Sequence, residues 1–186
     1  CEAAAARRGA GARPRALQDV HTQLLVEHCR QVAEALALGE KKDELAFFDL
    51  FCERRMLAAF VAALVAPPMP CPVQVQLLQT LSVLVQNTRH DTSWYYLLSG
   101  GHLSRLCCHG LAGPEAGDDG ELAAWFVAFL KSVALRLDEN SAQLCLQRYG
   151  VRFPLFACLS RHAEHADQLV RTSARAALLL LLRLPE

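Results

Sequence analysis

The sequence predicts an all-α fold, and three observations carry that prediction. Leu and Ala dominate a chain that is 53% hydrophobic, while Ile is absent and few segments alternate apolar with polar residues. Apolar residues instead recur at the three-four spacing of helices through long stretches. The long stretches also return at a fixed interval, beginning near Gln74, Glu121 and Gln168, 47 residues apart in both cases. About 40 to 47 residues is the length of an armadillo or HEAT unit, so the prediction sharpens to an armadillo/HEAT-like α-solenoid of about three helical repeats.

Taken in order, Leu17 to Leu38 reads as the first helix, with Leu25, Cys29, Val32 and Leu36 on one stripe and Gly39 as its stop. Asp43 is placed to cap a second helix that contains Phe47, Phe48, Leu50 and Phe51. Met56 to Val65 follows, and Pro67-Pro68-Met69-Pro70 breaks the chain. Pro72 suits the first turn of the next helix, the first of the three long inner ones. Its face of Val73, Leu77, Leu78, Leu81, Leu84 and Val85 is so broad that Gln76, Gln79, Ser82 and Gln86 keep only a narrow strip. Such a helix is expected to lie between other helices.

Asp91 or Thr92 is expected to cap a short aromatic helix, Ser93 to Leu98, which Gly100-Gly101 ends. His102 to His109 is a further short helix, and Gly110 to Gly120 is a solvated loop. Glu121 to Leu137 is the second long helix, with Leu122, Trp125, Phe126, Phe129, Leu130, Val133 and Leu137 at helical spacing. Asp138, Asn140 and Ser141 begin a shorter one, and Phe153-Pro154-Leu155 opens another. Gln168 to Leu184 is the third long helix, striped by Val170, Ala174, Ala177, Leu181 and Leu184. Leu178 to Leu182 is apolar on every side, which predicts that this end meets a further repeat.

At 186 residues the chain is sized for one domain, assigned to 17–186 and preceded by a basic tail over 1–16. That tail, with four arginines against Glu2, reads as disordered; it lacks the serines and amphipathic pattern of a mitochondrial presequence. The first residue is Cys1 rather than Met, as in a fragment or a processed chain. Nineteen basic and nineteen acidic residues cancel, so the chain lacks the field that draws proteins to nucleic acid. No apolar run reaches the ~20 residues a membrane span needs, and Ala176 to Leu182 holds only seven. Among eight cysteines, Cys29, Cys52, Cys145 and Cys158 sit in helical apolar patterns and read as reduced core thiols of a cytosolic protein.

No reactive constellation assembles from the sequence. Cys107-Cys108-His109 has no second half at metal-ligand spacing, and adjacent helical cysteines point apart. His162-Ala163-Glu164-His165 has the wrong spacing for a zinc protease and reads as a surface histidine cluster. His90-Asp91-Thr92-Ser93 is read as a helix cap, not a catalytic set. The expectation is therefore no enzyme, no metal and no cofactor. The binding candidates are Trp94, Tyr95 and Tyr96, with one or two rings buried and one exposed, and the pair Arg171 and Arg175 one helical turn apart.

Five stretches in order resemble the FPL-domain family. They are Phe47 to Glu53 (FFDLFCE), Val75 to Leu81 (VQLLQTL), His90 to Ser99 (HDTSWYYLLS), Phe129 to Leu137 (FLKSVALRL), and Phe153-Pro154-Leu155 with Val170 to Arg175. The resemblance runs from about Leu24 to Leu184, with departures at the proline-rich break and in the loop Ala112 to Gly120. It implies a non-enzymatic cytosolic adaptor of endosomal–lysosomal trafficking, autophagy and mitophagy. By the same resemblance its partners are proteins of the vesicle-tethering or ubiquitin-ligase machinery, and any membrane association is peripheral. A structural or regulatory fragment that pairs with a full-length relative through the apolar C-terminal face is the competing expectation.

Overall fold

The computed structural model describes residues 15–66, 69–111, 120–146 and 153–184. The expectations for the tail up to position 14, for Pro67 and Pro68, and for most of the Gly110–Gly120 loop lie outside the described residues. Among the described residues every regular element is helical. The helices are α1 (Arg15–Lys42), α2 (Ala46–Glu53), α3 (Met56–Val65), α4 (Cys71–Asn87), α5 (Asp91–Leu98), α6 (His102–His109), α7 (Gly120–Arg136), α8 (Glu139–Leu144), α9 (Pro154–His162) and α10 (Gln168–Leu181).

The punctuation follows the residues. Pro72 and Pro154 sit in the first turns of α4 and α9, where a missing N–H costs no helical bond. Gly100 and Gly101 take φ of 73° and 69°, a left-handed turn that reverses the chain between α5 and α6. Asp138 and Ser141 exchange bonds in a reciprocal cap at the start of α8, and the Asp167 carboxylate accepts from the Leu169 and Val170 N–H groups at the start of α10.

Two expectations near the N-terminus fail for steric reasons. Gly39 does not stop α1; it lies buried within the helix, where a Cβ would come within 2.9 Å of the Glu44 carbonyl oxygen and 3.2 Å of the Phe47 ring. Gly39 is thus a close-approach residue that lets the chain fold back and bring α2 onto α1. Asp43 is not a cap either. It turns the chain at φ 61°, and Leu45, the residue before α2, supplies no side-chain cap. Leu25, placed on the buried stripe, is exposed; the α1 core begins at the half-buried Cys29 and Val32 and deepens at Ala33 and Leu36.

Packing defines two rows of helices. α4 packs on α1, α7 on α4 and α10 on α7, so the three inner helices extend to a fourth long one, α1. The shorter α3, α6 and α9 pack on one another in a second row, and α5 meets α8. The broad α4 face explains its place. Val73, Val75, Leu77, Leu78, Leu81, Leu84 and Val85 are all buried, and Thr80 and Ser82 join them. Both hydroxyls are satisfied, Thr80 donating to the Cys29 carbonyl on α1 at 3.2 Å and Ser82 to the Leu78 carbonyl at 2.8 Å. Ser82 therefore leaves the polar strip that its spacing suggested. On α7, Phe126, Val127 and Leu130 lose all solvent contact, while Trp125 stays half-buried. One continuous core runs from Leu36 to Leu181.

Candidate interaction surface

The ends of α1 and α4, the start of α5 and the end of α7 converge on one polar seam. Glu40, in the last turns of α1, is only 5% exposed. Its Oε2 accepts the Arg89 backbone N–H at 2.9 Å, while its Oε1 has no hydrogen-bond partner among the described residues. A buried carboxylate needs positive charge nearby, and the Arg136 guanidinium is the cation whose field it shares. Arg136 reaches back from the end of α7 to donate to the Val85 carbonyl, and it lies over the Trp94 ring with Cζ 4.4 Å from the centroid. Burial pushes the Arg136 pKa down, and Glu40 and Asp91 oppose that shift.

His90 is the residue that starts α5, in extended conformation and with no side-chain cap bond, so the expected cap at Asp91 or Thr92 is not formed. Ser93 lies within the helix, as expected, and is buried. Asp91 instead places its charge in the first turn, where the helix dipole favours an anion. His90 Nε2 stands 2.9 Å from Asp43 Oδ1, tying the α1–α2 turn to the α5 entry. Asp43 is largely solvated, so the tie is weak.

The seam separates the three aromatic rings. Trp94 is buried beneath Arg136. Tyr96 is half-buried, edge-on to Phe48 with centroids 5.9 Å apart, and its phenol is an electrostatic neighbour of the Cys52 thiol. Burial pushes the Tyr96 pKa up, and it also pushes up that of the Cys52 thiol. Tyr95, 39% exposed, alone presents a phenol to solvent. Arg171 and Arg175 lie far along the chain at the α9–α10 corner. Arg171 donates to the His165 carbonyl at 2.7 Å and the Ala166 carbonyl at 3.1 Å, and Arg175 to that of Ala163 at 3.1 Å. Both arginines thus serve carbonyls left open at and just past the C-terminal end of α9.

Sequence reasoning missed a second exposed feature. Phe47 and Leu50 stand outward on α2 while Phe48 and Phe51 point inward, so α2 is apolar on both sides. With Val32, Leu36 and Arg54 they line a shallow apolar groove of about 180 Å³ against α1. The four-aromatic-and-leucine run in AFFDLFCE was the signal, because one buried stripe cannot use them all. The expected surface histidine cluster is also corrected. His162 is buried, its Nδ1 lies 2.9 Å from the Cys158 carbonyl, and its ring packs edge-on to Phe126 and stacks over His165.

No group of three or more His, Cys, Asp or Glu side chains is arranged to hold a metal among the described residues. None of their helices is long and apolar enough to cross a membrane. The structure thus defines an all-helical domain with polar and aromatic side chains gathered at the joints between long helices. Residues 29–182 match the model of the FPL family, described as an uncharacterised conserved protein. The chain is 32% identical over 164 residues to the protein CLEC16A homolog of Caenorhabditis elegans, covering 88% of this chain and 18% of the relative. It is 32% identical over 152 residues to human protein CLEC16A, covering 82% and 14%, and 30% identical over 163 residues to protein TRANSPARENT TESTA 9 of Arabidopsis thaliana, covering 86% and 19%. No solved structure matches. The chain belongs to the FPL family, and it spans less than a fifth of the length of these relatives.

Proposed function

We propose that the chain is a non-enzymatic adaptor, a single armadillo/HEAT-like α-solenoid of about three repeats over 17–186. In this reading it acts through protein contacts in endosomal–lysosomal trafficking, autophagy and mitophagy. The observation that carries the architecture is repeated packing: α4 on α1, α7 on α4 and α10 on α7, accompanied by α3, α6 and α9 in series. Stacked helices each keep one strip for solvent, and together the strips make an extended surface suited to another protein. FPL membership supports the trafficking role and, with it, cytoplasmic placement at the surface of endosomes, lysosomes or autophagosomes. Vesicle-tethering and ubiquitin-ligase components are the proposed partners.

Tyr95 is the proposed anchor, because it is an exposed aromatic side chain between the buried Trp94 and the half-buried Tyr96 in the sequence of α5. Arg171 and Arg175 are proposed as a second contact, with the guanidinium edges not used on carbonyls turned to an acidic partner. Proximity labelling from the whole chain in cells tests the reading. Tethering or ligase components should be enriched, and Tyr95→Ala should reduce them while leaving the circular dichroism spectrum unchanged. Neighbours drawn only from other machineries would overturn the assignment.

A second reading rests on the C-terminal end, where Leu179 and Leu182 are 59% and 68% exposed. There the chain pairs with a full-length relative through this apolar face. Light scattering of the two proteins mixed at micromolar concentration separates the readings, since two independent monomers exclude the pairing.

A further inference from the structure

The α6–α9 joint holds a chemistry that the adaptor reading leaves unused. Cys107 on α6 and Cys158 on α9 come from helices packed against each other, and both are almost wholly buried. Each thiol is the leading influence on the other's ionisation, so the two sulfurs are electrostatic neighbours across the joint. The joint is pinned beside them, because the Arg161 guanidinium donates to the Cys107 carbonyl at 2.8 Å. Arg161 and His162 follow Cys158 by three and four residues, which places all three on neighbouring positions of one helix side. The Cys107 thiol, with His162 and Arg161, holds the Cys158 thiol below the ordinary range, while the Cys107 thiol is raised. Cys145 stands close by but is of a different kind. Its thiol faces the Ser141 carbonyl at 3.9 Å, and burial pushes its pKa up to about 12, so it stays protonated and unreactive. Cys108, one residue from Cys107, points to solvent and away from the pair.

We propose that Cys107 and Cys158 are a redox-active dithiol that hydroperoxides convert into a disulfide joining α6 to α9. The Cys158 sulfur attacks one peroxide oxygen and the O–O bond breaks. One oxygen leaves as water from hydrogen peroxide, or as an alcohol from an organic hydroperoxide, and Cys158 becomes a sulfenic acid. The Cys107 sulfur then attacks the Cys158 sulfur, an S–S bond replaces the S–O bond, and the second oxygen leaves as water. The two thiols lose two electrons and two protons, and the peroxide takes up both. Because both sulfurs are enclosed, the oxidant reaches them when the α6–α9 joint opens, so the rate of oxidation reports on that opening. The crosslink closes a loop of about fifty residues and removes entropy from the unfolded chain alone, so the oxidised form is the more stable one.

The test is a hydrogen peroxide titration of the reduced 186-residue chain under native conditions, read by peptide mapping without reductant. The expected product is a Cys107–Cys158 linked peptide, with the melting temperature raised by roughly 8 to 15 °C and returned by dithiothreitol. C107S should abolish the link and C108S should leave it intact. The wild-type map decides by itself if either variant fails to fold. No Cys107–Cys158 peptide, or one formed only in denaturant, or pairings dominated by Cys108, would overturn the proposal.

Discussion

The joint around Arg136 and the joint around Arg161 apply one device to different materials. A helix leaves its last carbonyls without intrahelical donors. In α4 the Thr88 N–H serves the Leu84 carbonyl, and Arg136 serves the next one, that of Val85. In α6 the Gly110 N–H serves the Leu106 carbonyl, and Arg161 serves the next one, that of Cys107. In each case an arginine from the next helix of the same row completes the end of its predecessor, where a cation also suits the helix dipole. The surroundings differ. Arg136 is enclosed by the Trp94 ring and the Glu40 field, whereas Arg161 is exposed and stands beside thiols and an imidazole. The same geometric task is thus joined to electrostatics in the first row and to sulfur chemistry in the second.

The largest effects should come from the cores behind the two joints. Leu81 lies behind the first, beside an apolar void of about 30 Å³ that Trp94, Val85 and Val133 also line, and Leu159 lies behind the second. Replacement of either by Ala should remove about 2 to 5 kcal/mol in urea unfolding. Leu81→Ala is expected toward the upper end, because the new cavity merges with the void. Wild-type stability for Leu81→Ala would place that residue at the surface and undo the packing of α4 between α1 and α7.

Smaller but more discriminating are the arginines. Arg136→Ala should cost about 2 to 3 kcal/mol, the sum of a charge-assisted hydrogen bond and a partly desolvated cation–π contact. Arg161→Ala loses the bond alone, about 1 to 1.5 kcal/mol. Arg136→Lys should not restore the loss, because an ammonium cannot both stack on Trp94 and reach the Val85 carbonyl. Equal losses at the two sites would mean that Trp94 and Glu40 add nothing to the first joint.

Much of this molecule can be read before its structure is known, and the limit has a physical cause. Pro72, Pro154 and the Gly100-Gly101 pair announce boundaries because their effects on φ and on N–H donors are local. The buried stripes of α4, α7 and α10 were legible for the same reason, since a helix face is set by spacing alone. What one helix face meets is not local. The bonds of Thr80 to Cys29, Arg136 to Val85 and Arg161 to Cys107 span 51 to 54 residues, and nothing in either partner's own neighbourhood marks them. Gly39 reads as a stop, and nothing beside Glu40 in the sequence marks it for burial, because each draws its role from the returning chain. Of the candidate contact residues, the chemistry of the rings was legible. Which ring faces out depended on where Arg136 and Phe48 arrive.

The smallest expected effects lie in the two carboxylate caps, and they distinguish the joints by position. Backbone N–H groups at the α10 start hold the Asp167 pKa below the usual range, and the Ser141 hydroxyl and N–H do the same for Asp138 at the α8 start. A carboxyl whose folded value is depressed contributes stability that is fully present above its unfolded pKa, about 4, and is lost as pH falls through the lower folded value. Both groups are solvated, so the contribution is slight and appears only on the acid limb of the stability curve. Asp167 belongs to the same corner as Arg171 and Arg175, so its loss should loosen the α9–α10 end, whereas Asp138 lies next to the end of α7. Asp167→Asn should therefore flatten the acid limb and speed amide exchange at the α9–α10 corner, leaving exchange around Trp94 unchanged. Asp138→Asn should flatten the limb without touching that corner. Unchanged acid limbs in both variants would remove the caps from the account, and equal exchange at both joints would show that the two rows open together.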